Sequence, residues 1–226
     1  MQRLLVFMLF FAAATIASAQ DDMEYRWEAG AAIGTVAYDG DFNGNILRGM
    51  HPAGVLLLRR ILNPYMALKF GVSYGKLKGS SANVKTFYPT YRRQSYRFDN
   101  ALTDIGIAYE YNFWPYGTGR DYRGAKRLTP FVMVGIGGTY VTGEGKHVFT
   151  GQIPLGLGVK YKWGERLNIA LEWAMHFSLS DELDGVKDPY GVKSSGIFKN
   201  TDGYSTLMVG LTYNFAPKCR TCNKDF

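Results

Sequence analysis

The segment Tyr204–Phe215, YSTLMVGLTYNF, constrains this chain more than any other. Leu207, Val209, Leu211, Tyr213 and Phe215 fall on one side of an extended chain. Thr206, Met208, Gly210, Thr212 and Asn214 fall on the other. A period of two is a strand and not a helix. One face is apolar and ends in aromatics; the other is mostly small or polar. In a transmembrane barrel the first row meets lipid and the second meets the lumen.

The pattern recurs along the chain. Met66, Leu68, Phe70, Val72 and Tyr74 alternate with Ala67, Lys69, Gly71, Ser73 and Gly75. Ile105, Ile107, Tyr109, Tyr111 and Phe113 oppose Asp104, Gly106, Ala108, Glu110 and Asn112. Ile153 to Trp163 and Ile169 to Phe177 repeat the arrangement. Further strands are expected at about Tyr25–Tyr38, Pro52–Ile61 and Leu128–Val141, which makes eight. The phase of GVLLLRRI, in the second, is ambiguous because apolar residues occupy both sides.

The N-terminus has the form of an export signal. Arg3 precedes a short apolar core, Leu4–Ala14, and Ala17-Ser18-Ala19 is an A-x-A site. The core is shorter than the ~20 residues that a membrane-spanning helix needs. The expected organisation is a leader at 1–19, a barrel at 20–216 and a basic tail at 217–226. The formal charge of +7 becomes +6 once Arg3 is removed. In an exported barrel that balance points to anionic lipid or an acidic protein partner, not to nucleic acid.

The fold expected is all-β: an eight-stranded antiparallel transmembrane barrel of the outer membrane, with both termini in the periplasm. The connections Leu62–Tyr65 and Gly164–Arg166 are tight. Those at Asp39–Gly49, Lys78–Ser95, Gly143–Thr150 and Ser180–Gly203 read as longer extracellular loops. One connection on the short-turn side, Trp114–Arg127, is long, basic and aromatic. Its Trp114, Tyr116, Arg120, Arg123, Lys126 and Arg127 suit either an interfacial loop or a docking segment. A soluble β-sandwich would have to bury the aromatic rows between two sheets.

Eight strands leave a lumen that side chains can fill. The inward phase carries Glu28, Asp104, Glu110 and Glu172 against Lys69, Lys160 and Lys162, with Arg59 as a further candidate. Mixed signs imply a paired, plugged interior, since a lone buried charge is costly. His176 shares this phase. His176 and Ser178 have the spacing used by barrel-type lipid A deacylases, with Glu172 further along. Trp173, Met175 and Phe177 claim the lipid side, however, which turns His176 and Ser178 inward, away from an acyl chain. His51, His147 and His176 do not have the spacing of a metal site, and no cofactor is expected. Cys219 and Cys222 form a CxxC in the tail. In an oxidising compartment they suit a local disulfide or a link to a neighbouring protein.

Several stretches in order resemble a known family. They include Glu28–Gly34 leading to Tyr38–Asp41, Met66–Gly71, Tyr74–Gly79, Glu110–Tyr116, Thr129–Val132, Pro154–Lys162, Asn168–Trp173 and Ser180–Asp184. Together they are similar to the PorG-type outer-membrane barrels of the type IX secretion apparatus, which also serves gliding. The resemblance implies a structural role: anchoring a periplasmic ring of the PorK lipoprotein and PorN to the outer membrane. The partner surface would then be periplasmic, on Trp114–Arg127 and on the tail with Lys218, Arg220 and Lys224. An alternative is a small-solute barrel resembling OmpW-type proteins, which requires an open, apolar lumen.

Overall fold

The computed structural model describes residues 25–39, 49–80, 97–117, 125–143, 146–180 and 203–217. The expected leader, residues 218–226 of the expected tail with both cysteines, and Arg120 and Arg123 lie outside them, while Pro217, expected as the first tail residue, ends the last strand. The strands are β1 (Tyr25–Asp39), β2 (His51–Asn63), β3 (Met66–Ser80), β4 (Arg97–Asn112), β5 (Leu128–Gly143), β6 (Lys146–Lys162), β7 (Leu167–Ser178) and β8 (Gly203–Pro217). Each pairs antiparallel with the next, and β8 pairs with β1 to close the barrel. Closure is what a sheet in hydrocarbon requires, because it leaves no edge of unpaired amides.

The period-two rows lie where the sequence puts them. Along β8, Leu207 to Phe215 are exposed and Thr206 to Asn214 are buried in strict alternation. Exposed Ile33, Leu56, Ile105, Ile136, Leu157, Leu171 and Val209 continue the apolar row around the outer wall. Aromatics mark both margins of this band. Tyr111, Phe113, Tyr161, Trp163, Tyr213 and Phe215 stand at the end with the short turns, and Tyr74, Tyr140 and Phe149 at the other. A continuous apolar surface of this extent is stable only against lipid.

Two expectations are corrected or completed. The stretch expected as a loop at Gly143–Thr150 is largely strand: β6 starts at Lys146, and Gly143 pairs with Lys146. His147 and Phe149 are exposed and Thr150 is buried, so the alternation of β6 simply extends outward. In β2, the phase is settled by Arg59, which is buried, while Leu56, Leu58 and Arg60 face out. Pro154 sits within β6, where a proline removes a ladder bond. The β5–β6 register has no partners opposite Ile153 and Pro154.

Candidate functional site

The lumen is filled in three layers. At the short-turn end is an ion-pair network. Its centre is Glu110 on β4, fully buried, which faces Arg59 from β2 and Lys160 from β6. Arg59 Nε lies 2.6 Å from Glu110 Oε2, an ion pair although that N–H is not aligned as a hydrogen bond. Arg59 Nη2 donates to Glu110 Oε1 at 3.0 Å, and Nη1 reaches Glu28 at 2.5 Å. Thr212 donates its hydroxyl to the same Glu28 carboxylate. Lys160 donates to Glu110 at 2.5 Å and to Asn112 Oδ1 at 3.1 Å, and it lies 4.5 Å from the Phe131 ring centroid. Lys69 pairs with Glu172 at 2.6 Å and stands 3.8 Å from Glu110. Three carboxylates therefore balance three cations. Charges removed from water demand this pairing.

The second layer is hydrogen-bonded and mostly uncharged. Ser73 donates to Asp104 at 2.8 Å. Tyr204 donates to Gln152 Oε1 at 2.7 Å, and its ring stacks on His176 at 4.5 Å. His176 Nδ1 lies 2.6 Å from Gln152 Oε1, and Nε2 lies 3.2 Å from Thr206 Oγ1. An oxygen that already accepts from Tyr204 assigns the imidazole proton to Nδ1, leaving Nε2 to accept from Thr206. Ser178 bonds to Thr150 and Ser180, not to His176. The histidine and serine are thus committed to separate structural partners.

The third layer is an apolar cap at the loop end. Val36, Tyr38, Leu77, Phe98, Leu102 and Val141 pack with Tyr204 in one buried cluster. Tyr38 and Phe98 meet edge to face at 5.1 Å. Sequence reasoning anticipated the charges but missed this cap. The signal was available: Leu77, Leu102 and Val141 are bulky apolar residues in the inward phase of their strands.

The short-turn mouth is sealed by the connection after β4. Tyr116 N donates to Pro64 O at 3.1 Å, and its hydroxyl donates to Asn168 Oδ1 at 3.0 Å. Asn168 in turn donates to Asn214. Burial, with the Glu28 carboxylate nearby, pushes the Tyr116 phenol well above its ordinary range, so it stays a neutral donor. Tyr116 forms a parallel bridge with Lys126, so the two ends of the connection are clipped together. Lys126 lies 5.0 Å from the Trp114 ring centroid. Trp114 and Thr129 bond each other at 3.1 Å through the Trp114 amide and carbonyl. Trp114, Lys126 and Arg127 remain exposed on the rim. Tyr116, expected with them as a partner contact, is instead buried and acts as a stopper. Beneath it is a cavity of about 20 Å³, lined by Glu28, Arg59, Asn112 and Lys160 among others. Lys162 is buried nearby and donates to Gly117 O at 3.3 Å. Among the described residues no group of His, Cys, Asp or Glu could hold a metal ion.

The family described as "Domain of unknown function (DUF6089)" matches residues 2–224. No curated protein matches the sequence. Among solved structures, Neisserial surface protein A is similar at 12% identity, with 84% of this chain and 97% of that chain covered and a TM-score of 0.53. Ail of Yersinia pestis is similar at 12% identity and a TM-score of 0.43, covering 86% of this chain and 100% of that one. The N-terminal barrel domain of Pseudomonas aeruginosa OprF gives 14% identity and 0.44, with 85% and 100% covered. The first of these likenesses shows the fold, a closed barrel of the outer-membrane kind, and no more than the fold.

Proposed function

This chain belongs to the DUF6089 family, and we propose that it is a non-enzymatic barrel that fastens a periplasmic assembly to the outer membrane. In this reading it serves type IX protein secretion and the associated gliding machinery. It holds a ring made of a PorK-like lipoprotein and a PorN-like protein.

The observation that carries the reading is the filled lumen. A barrel blocked by an ion-pair network, a hydrogen-bonded layer and an apolar cap is suited to holding, not to conducting. The sequence resemblance to PorG-type barrels supplies the partners. With both termini and the short turns in the periplasm, the ring would meet Trp114, Lys126 and Arg127 on the rim. Arg120 and Arg123 belong to the same connection, and Lys218, Arg220 and Lys224 to the tail. Basic side chains there would complement carboxylates on the partner. Cys219 and Cys222 either pair with each other or join the partner covalently.

The test is co-purification from gently solubilised outer membranes, with non-reducing gels alongside. The tagged wild type is expected to bring down a lipoprotein and its ring partner. Deleting residues 218–226, or replacing Trp114, Lys126 and Arg127 by alanine, should leave the barrel inserted and lower the recovery. Undiminished recovery from both variants would remove these surfaces from the proposal, and a barrel recovered without partners would sink it.

A further inference from the structure

We infer that the lumen holds a site for one monovalent cation of sodium's size, centred on the Asp104 carboxylate in the hydrogen-bonded layer. The carboxylates of the layer below all have cations: Glu28 has Arg59, Glu110 has Arg59 and Lys160, and Glu172 has Lys69. Asp104 is only 5% exposed. Among the described residues no lysine, arginine or histidine faces it. A charge removed from water without a counter-charge is costly, so this one calls for a partner that the described side chains do not supply.

The hydrogen bonds show where that partner belongs. Ser73 on β3 and Thr139 on β5 stand opposite Asp104 in register. Ser73 gives its proton to Asp104 Oδ2 at 2.8 Å. Tyr204 gives its proton to Gln152 Oε1, so Thr139 must donate to Tyr204 across their 3.1 Å contact. The Thr139 and Tyr204 hydroxyls are near enough to act on the Asp104 carboxyl, yet Oδ1 has no hydrogen-bond partner. The hydroxyl protons are thus committed, and what remains around Oδ1 is oxygen lone pairs. A proton placed on Oδ1 would find no acceptor within hydrogen-bond reach either. A hard cation satisfies such oxygens. One carboxylate sets its charge at one. Calcium, with twice the charge and six to eight oxygen ligands, asks for more than this set offers. The absence of a histidine, cysteine or acid cluster is no obstacle, because a hard cation takes oxygen ligands.

Room for the ion comes from the next row. Along the inward face, Ser73, Asp104 and Thr139 adjoin Gly71, Gly106 and Gly137, which pair with one another across the same three strands. Three inward positions in a line therefore carry no side chain. A Cβ on Gly71 would meet nothing nearer than Val55 Cγ1 at 3.8 Å, and one on Gly106 would first meet the β5 backbone. A row of oxygens beside a row of glycines gives an ion both ligands and space.

The experiment is urea unfolding of the barrel refolded into detergent micelles, as sodium replaces N-methylglucamine at constant chloride and fixed pH. The ring-anchor proposal does not enter, so failure here would leave it standing. For the wild type, the folding equilibrium constant should rise about tenfold for each tenfold rise in sodium above its dissociation constant, the slope of one bound ion. Asp104→Asn keeps the shape and removes the charge. It should flatten that slope and be at least as stable as the wild type without sodium. Thr139→Val removes one oxygen ligand and should need about tenfold more sodium for the same effect. Glu172→Gln removes a lumen carboxylate that has its own cation, and should keep the sodium slope. The inference is overturned if the wild type is indifferent to sodium, if Asp104→Asn retains the dependence, or if Glu172→Gln loses it as well. A wild type that responds to pH instead of sodium, with the response lost in Asp104→Asn, would overturn it in favour of a bound proton.

Discussion

Glu110 shows how one residue organises the lumen. Its carboxylate is shared between Arg59 and Lys160, with Lys69 behind. Replacing it by glutamine keeps the shape and leaves buried cations without their anion. Breaking a buried pair in this way destabilises by about 3–5 kcal/mol. Glu110→Gln should therefore lower the stability by that amount in urea unfolding of the refolded barrel. Glu172→Gln should lose less, because Glu172 is less buried and Lys69 keeps Glu110 within 3.8 Å. Equal losses would mean that Glu110 is not the hub. Tyr116→Phe tests the stopper in the same assay. It removes one donor from a buried amide, Asn168, at a cost of about 1 kcal/mol, and should leave insertion unchanged.

At the scale of elements, the alternation is what sequence could reveal, and it was most legible where the two rows differ most. β8 reads unambiguously because its inward row has threonine, glycine and asparagine opposite leucine, valine and tyrosine. β2 does not, because Leu57 and Val55 are inward yet apolar; only Arg59, committed to two carboxylates from other strands, fixes the phase. The apolar cap was missed for a related reason: an inward leucine or valine looks like a lapse in phase until its neighbours from other strands are seen. The start of β6 was hidden by the glycines around Gly143, which suit a loop as well as a tight hairpin. Inward glycines carry information too, since they mark where large side chains from neighbouring strands need room. A Cβ on Gly158 would lie 2.4 Å from Leu171 O and 2.7 Å from the Phe131 ring, the ring on which Lys160 rests. Gly158→Ala is expected to cost about 1–3 kcal/mol through overpacking. Gly164→Ala, in the β6–β7 turn, would meet nothing nearer than 3.9 Å and should be neutral. Thermal shifts of the two variants in detergent decide the point, and equal shifts would remove the steric explanation.

For the whole molecule, the layers act in series, and this sets the behaviour of the barrel in a bilayer. Ions crossing the lumen would have to pass both the ion-pair network and the apolar cap formed by Leu77, Phe98 and their neighbours. Opening one layer leaves the other closed. A variant with Glu110, Lys160 and Arg59 all replaced by alanine loses the network and keeps a dry apolar constriction, which blocks ions by excluding water. A variant with Leu77→Ala and Phe98→Ala opens the cap and keeps the paired charges. Wild type and both variants should show no steady conductance in planar bilayers, whereas the combined variant should conduct. Conductance from the cap variant alone would show that the charged network is porous to ions. A conducting wild type would overturn the filled lumen as a functional feature and, with it, the main support for a holding role.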